Sequence, residues 1–329
     1  MGEDHVKKGE GEFGSVFKPP AEKKGFAAFR EFLYNSERGE FLGRTAGSWA
    51  KITIFYIIFY ACLAAMWALF LVIFLQTLDA TRPKWEGDNG LIGANPGLGF
   101  RPRPPDDYVD STLIWFRSGS GVNDAEWKHW TDELTKVWDL YMTGDKNYGQ
   151  YLKQCSFADP KTDQKDKFCF FDMKTINSPC IKESFFGYDK GTPCIYIKLN
   201  KIYGWEPEPY ENVTELPAEM PDQLKETIKQ NAADNGGTPQ KMVWLSCEGE
   251  NPADKENIGP IEYSPMQGFP YYYFPFMNTP GYMSPLVAIY LKHPEPSVII
   301  NIECKAWARN IRHNRMERVG TTHFELMKD

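Results

Sequence analysis

Residues 52–78 read ITIFYIIFYACLAAMWALFLVIFLQTL, 27 consecutive positions without a charge, bounded by Lys51 and Asp79. A bilayer core is about 30 Å thick, and about 20 apolar residues in a helix suffice to cross it. A cleaved signal sequence has a shorter apolar core and sits at the very start of a chain. The stretch therefore predicts one transmembrane helix that anchors the protein.

The orientation follows from what lies on each side. Arg38, Arg44 and Lys51 precede the span closely, and Arg82 and Lys84 follow it, so the basic-residue bias is slight. Six of the seven cysteines (Cys155, Cys169, Cys180, Cys194, Cys247, Cys304) lie C-terminal to the span, and Cys62 lies inside it. An even set on one side fits a disulfide framework, which persists only in an oxidising compartment. Asn212-Val213-Thr214 is an N-glycosylation acceptor on that same side. These clues predict a type II membrane glycoprotein of the plasma membrane. Residues 1–51 form a cytosolic N-terminal tail, 52–78 the transmembrane helix, 79–110 a Pro/Gly-rich stalk, and 111–329 an extracellular disulfide-bonded domain.

Within the tail, residues 1–25 are rich in Gly, Glu and Lys and read as disordered. From Phe26 to Trp49 aromatic residues return, interleaved with Arg30, Arg38 and Arg44, as in a short segment lying at the inner headgroup layer. Inside the span, Tyr56, Tyr60, Leu63, Trp67 and Phe74 recur at helical spacing, while Ala61, Ala64, Ala65 and Ala68 form a small-residue face turned away from them. Small residues let a second helix approach closely. A Tyr hydroxyl as deep as that of Tyr60 needs a partner that lipid cannot provide. The span is thus expected to contact another membrane helix as well as the bilayer.

Beyond the stalk, Asp124–Met142 reads as one amphipathic helix carrying Trp127, Trp130, Leu134, Trp138 and Tyr141 on one stripe, with Asn123 or Asp124 as its cap. A second short helix is expected at Asp222–Asn231. The other apolar runs are short and strand-like: Thr112–Phe116, Cys194–Leu199, Met242–Leu245, Leu286–Leu291 and Val298–Ile302. The expected fold is a single transmembrane helix plus a mainly-β extracellular domain, an immunoglobulin-like β-sandwich with an inserted helix. Six cysteines allow fifteen pairings, and spacing alone selects none; nearest-neighbour pairing is the simplest.

No catalytic chemistry is legible. The five histidines are scattered, and the C-x2-C or clustered His spacing of a zinc site does not occur. Nucleophile-elbow, P-loop and dinucleotide motifs are missing from the sequence, and Gly119-Ser120-Gly121 is too short to cradle a phosphate. No cofactor, no metal and no enzymatic activity of its own are expected. A net charge of −7 supplies no basic field for nucleic acid.

The cytosolic pattern Phe29-x-x-Phe32-x-Tyr34-Asn35, followed after six residues by Leu42-Gly43-Arg44-Thr45-x-x-x-Trp49, resembles the signature of sodium/potassium-transporting ATPase beta subunits. The span opening Phe55-Tyr56-Ile57-Ile58-Phe59-Tyr60 is similar to that family's as well. So are the six cysteines, Tyr272-Tyr273-Phe274-Pro275-Phe276, Pro285-Leu286-Val287-Ala288 and Glu303-Cys304-Lys305-Ala306. The likeness covers about residues 26–320, and Asn278-Thr279-Pro280-Gly281-Tyr282 resembles invertebrate members in particular. One sequon stands where many relatives carry several, the region around Cys169 and Cys180 departs from the family's second signature, and the proton/potassium pump beta subunit looks more distant.

The resemblance implies an immunoglobulin-like ectodomain with nearest-neighbour disulfides. It implies a non-catalytic role in stabilising and delivering a catalytic alpha subunit and in modulating potassium affinity and occlusion. Tyr56, Tyr60 and Trp67 would face an alpha helix, and Tyr272, Tyr273, Phe274, Pro275 and Phe276 an extracellular alpha loop. A small single-span regulatory subunit is a further candidate partner. The rival reading is an adhesion or junction glycoprotein acting through its ectodomain. Asp189-Lys190-Gly191-Thr192 resembles the phosphorylated motif of ion pumps only in broken order, between two cysteines expected outside the cell.

Overall fold

The computed structural model describes residues 25–36, 38–108, 111–119, 125–160, 167–314, 316–317 and 319–329. The expected disorder over residues 1–24, the cap at Asn123 or Asp124, and Ser120-Gly121 lie outside the described residues. The chain divides into two compact units, Met1–Leu78 and Asp79–Asp329.

In the first unit, helix α1 (Phe26–Leu33) leads into three two-residue strands, β1 (Tyr34–Asn35), β2 (Glu40–Phe41) and β3 (Arg44–Thr45), paired in antiparallel order. Gly43 turns between the last two at φ +71°, and a Cβ there would sit 3.4 Å from the Phe32 ring. Helix α2 (Ala46–Gln76) follows without a break and has 31 residues. It is long and apolar enough to cross a membrane, and none of its residues is buried by protein. A helix apolar all round with no protein cover suits lipid. The helix starts ahead of the charge-free run and carries Trp49 and Lys51 within its first two turns.

The second unit runs β4 (Leu98–Arg101), β5 (Leu113–Phe116), α3 (Ala125–Tyr148), β6 (Leu152–Lys153), β7 (Phe168–Cys169), β8 (Cys194–Leu199), α4 (Asp222–Asp234), β9 (Met242–Gly249), α5 (Pro252–Asn257), β10 (Ile261–Ser264), β11 (Gly268–Pro270), β12 (Leu286–Leu291), β13 (Ile300–Trp307) and β14 (Thr321–Lys328). Two sheets carry the fold: β10-β12-β8-β4, antiparallel throughout, and β11-β9-β13-β14-β5, whose last pair is parallel. Phe100 from one meets Phe324 from the other with ring centroids 5.0 Å apart, and the core is continuous between them. The mainly-β sandwich with an inserted helix is therefore present.

Each outer face has its own cover. Trp127, Trp130, Leu134, Trp138 and Tyr141, the stripe expected on α3, are all buried. The helix packs on the 3-10 segment Lys182–Lys190, with Trp138 6.4 Å from Phe186 and Phe186 5.9 Å from Tyr196 of β8. This explains why β8 reads as an unbroken apolar run: both its faces are covered. On the other sheet, Leu224 and Ile228 of α4 join Met242, Trp244 and Trp307 in a second cluster.

Several boundaries depart from the sequence expectation. The stalk over 79–110 contains β4, because Leu98 and Phe100 are buried against the sandwich core and Gly99 pairs with Lys198. The strand expected at Val298–Ile302 starts at Ile300 and runs on to Trp307. There Ile300, Ile302, Cys304 and Ala306 point inward while Glu303 and Lys305 pair with each other at 3.0 Å on the outer side. Alternation hides such a strand from a search for apolar runs. The expected strand at Met242–Leu245 likewise continues to Gly249, α3 reaches Tyr148, and α4 reaches Asp234.

The disulfides are Cys155–Cys169, Cys180–Cys194 and Cys247–Cys304, the nearest-neighbour set. Cys247 and Cys304 stand directly opposite each other on β9 and β13, so this bond joins neighbours within one sheet. In antibody domains the corresponding bond bridges the two sheets. Inside the loop closed by Cys180–Cys194, Phe185, Phe186 and Gly187 are successively left-handed at φ 47°, 50° and 76°. Phe185 is held there against Trp127 at 5.2 Å, and Phe186 is buried.

Candidate partner-binding surfaces

The first half of α2 carries an aromatic quartet. Tyr56 and Tyr60, one turn apart, stack with centroids 6.0 Å apart, as do Phe55 and Phe59 at 6.2 Å. Edge contacts at 5.5 and 5.4 Å join the two pairs. Such i,i+4 stacking follows from helical geometry and fixes the rings as one plate along the helix. Trp67 lies two turns further along and is exposed, as is Cys62. Neither Tyr hydroxyl has a protein acceptor within hydrogen-bond reach among the described residues, so each needs one from outside.

The Tyr271–Tyr273 turn opens the ectodomain stretch, and burial divides the residues expected there. Tyr272 and Phe274 are buried, Tyr272 against Phe157 at 5.3 Å and Phe274 against Trp205 at 5.5 Å. Both rings pack mostly into the domain and support the surface from beneath, and only the edge of Tyr272 reaches the neighbouring cleft. Tyr273, Pro275 and Phe276 are half-buried and remain available at the surface, followed by exposed Met277 and Asn278. Tyr273's backbone carbonyl accepts from the Tyr282 hydroxyl at 3.0 Å, and burial holds the Tyr273 phenol above its usual range. Phe276 is fixed by its carbonyl, which accepts from the Gly204 amide at 2.9 Å, and by Tyr282, 5.1 Å away.

Lys201, absent from the sequence expectation, lies over both rings. Its ammonium is 5.1 Å from the Phe276 and Tyr282 centroids and donates to the Tyr282 carbonyl at 3.2 Å. Partial burial lowers its pKa, and the ring faces compensate the lost hydration. Beside this patch a cleft of about 330 Å³ is lined by Gln154, Cys155, Asp172, Tyr273 and Pro285, among others.

Asn212 is exposed just before a 3-10 turn over Val213–Glu215, and its side chain donates to Glu215 at 3.3 Å. A glycan at that nitrogen would point into solvent. Among the described residues no group of three His, Cys, Asp or Glu side chains could hold a metal ion. Asp189 of the pump-like motif has one carboxylate oxygen buried without a partner, within the loop closed by Cys180–Cys194.

The family profile described as "Sodium / potassium ATPase beta chain" matches residues 19–324. The chain belongs to the sodium/potassium ATPase beta chain family. It is 47% identical to a Drosophila melanogaster protein named sodium/potassium-transporting ATPase subunit beta-2, over 96% of this chain and 97% of the relative. It is 36% identical to the beta-1 subunit of the same organism over the full length of both. Against human subunit beta-2 the identity is 28% over 91% and 93%. As a beta chain, the protein pairs one apolar helix with a disulfide-stapled sandwich.

Proposed function

We propose that this beta chain is the non-catalytic partner of an ion-pumping alpha subunit, which it stabilises, delivers to the plasma membrane and tunes in potassium occlusion. The observation that carries this reading is end-to-end similarity to beta subunits, 47% in one case, in a chain whose single span adjoins a three-disulfide sandwich. In it, residues 1–51 are cytosolic, α2 crosses the membrane, Asn212 carries a glycan, and residues 79–329 are extracellular.

Tyr56, Tyr60 and Trp67 face an alpha helix, where the two hydroxyls find their acceptors. Tyr273, Pro275 and Phe276 meet an extracellular alpha loop, with Tyr272 and Phe274 as the buried support. A partner alters an ion affinity only by binding two conformations of the pump unequally. Contacts made by Tyr hydroxyls in the occluded state alone would supply that difference.

Co-expression with an alpha subunit, purification in mild detergent and potassium-dependent ATPase assay test the proposal. Tyr56→Phe/Tyr60→Phe should copurify in full yield but shift the apparent potassium affinity. Failure to recover a stoichiometric alpha subunit with the wild-type chain would sink the reading; recovery with unchanged affinity in the double variant would remove only the tyrosine mechanism. An adhesion role is not favoured by the similarity, which runs to pump subunits throughout.

A further inference from the structure

We propose that residues 26–45 form a folded clamp that docks on the anionic surface of the bilayer and sets the depth of α2. The proposal goes beyond pump assembly and rests on that reading only for which leaflet is meant. In α1, Phe26, Phe29, Phe32 and Leu33 share one stripe, and all are exposed, Phe26 at 82%. Phe41 of β2 adds a fifth exposed apolar group, 54% open. An exposed aromatic set of this size on a soluble surface would be an aggregation liability.

What covers it is decided by the chain itself. Strand β3 ends at Thr45 and α2 begins at Ala46, so the meander cannot leave the membrane surface. One bond holds it to the span and a second ties α1 to the meander, so that it moves as a body. Trp49 Nε1, in the first turns of α2, donates to the Phe41 carbonyl at 2.8 Å, and the Leu42 amide donates to the Leu33 carbonyl at 3.1 Å. Indole at the interface prefers this half-wet position. Arg30, Arg38 and Arg44 are exposed around the aromatic groups and suit phosphate and carboxylate headgroups. The occupant is therefore a phospholipid surface bearing anionic headgroups. Because Trp49 ties the clamp to α2, docking fixes how deep Tyr56 and Tyr60 lie.

The test uses the full chain in nanodiscs of phosphatidylcholine with or without phosphatidylserine. An environment-sensitive fluorophore is placed at Phe29→Cys in a Cys62→Ala background and quenched from nitroxide-bearing lipid. The label should be lipid-embedded in both membranes, more so with phosphatidylserine. Each Arg→Gln change at 30, 38 and 44 should lower the embedded-to-exposed ratio about fivefold in the anionic membrane. Trp49→Phe should loosen the clamp and broaden the label's depth while leaving the sandwich disulfides intact. A label that stays in water in both membranes, or is protected only when an alpha subunit is added, overturns the proposal. Equal embedding with and without phosphatidylserine, unmoved by the arginine variants, overturns its anionic half. The embedding, its dependence on phosphatidylserine and the variant effects are all read on the chain alone, with an alpha subunit added only as a control, so they fail or succeed apart from the pump reading.

Discussion

The bond between Cys247 and Cys304 allows a quantitative expectation. These residues already face each other on paired strands β9 and β13, whose ladder runs from Gly249–Ile302 to Trp244–Trp307. In the native state the bond therefore holds together what backbone pairing holds anyway, and its effect falls mainly on the unfolded chain. Its sequence separation is 57, against 14 for Cys155–Cys169. The chain-entropy relation gives about 4 kcal/mol for the longer loop and about 3 kcal/mol for the shorter at 25 °C. Core packing widens the gap, since Cys304 is fully buried and Cys155 is half-exposed. Urea unfolding of the detergent-solubilised protein, followed by tryptophan fluorescence, should rank Cys247→Ala/Cys304→Ala as the less stable double variant by about 1 kcal/mol or more. If Cys155→Ala/Cys169→Ala proved the more damaging, or if the Cys247/Cys304 variant lost under about 1 kcal/mol, the unfolded-state account would be wrong.

Gly187→Ala should destabilise the ectodomain by a few kcal/mol, roughly the upper range for a strained backbone, because its Cβ would lie 2.1 Å from the Thr192 carbonyl oxygen and its φ is +76°; thermal unfolding measures this, and a neutral result would show that the left-handed turn is not required. His313 donates from Nε2 to the Ala306 carbonyl at 2.7 Å, and burial lowers its pKa from the ordinary 6.5. The unfolded chain then binds the proton more readily than the native one, so its stability contribution is complete above about pH 6.5 and declines as pH falls toward the depressed native value. His313→Gln should flatten that part of the stability–pH curve; an unchanged slope counts against it. Asn212→Gln should remove one endoglycosidase-sensitive step in electrophoretic mobility, and an unshifted band would mean the sequon is unused.

The parts of this molecule that were legible in sequence are those where one physical demand dominates. The span needs an uninterrupted apolar run, and residues 52–78 have one. The stripe on α3 needs large rings at helical spacing, and all five residues named for it are buried. Strands covered on both faces, such as β8 and β12, read as solid apolar runs and end where expected. Strand β13 did not, because its outer side carries Asn301, Glu303 and Lys305, and only the alternation with Ile300, Ile302 and Cys304 betrays it. Strand β4 was hidden by its surroundings: Pro and Gly flank a four-residue pairing whose partner, β8, is about a hundred residues away. The meander of residues 34–45 is held by a few backbone bonds and by Trp49, which leave almost no periodic trace.

The same limit governs the partner surfaces. A motif such as Tyr272–Phe276 marks a stretch as special without saying which side chains face out, because a residue kept for support and one kept for contact look alike in a string. Burial separates them: Tyr272 and Phe274 hold the turn from inside, and Tyr273, Pro275 and Phe276 stand at the surface with Lys201 over the last ring. The two classes should therefore fail differently. Tyr272→Ala removes a buried ring and should cost about 3–5 kcal/mol of ectodomain stability, with partner binding lost only through misfolding. Phe276→Ala should leave folding largely intact yet weaken co-purification of an alpha subunit. If Tyr272→Ala folded normally and still lost the partner, the division between support and contact drawn from burial would be refuted at that residue.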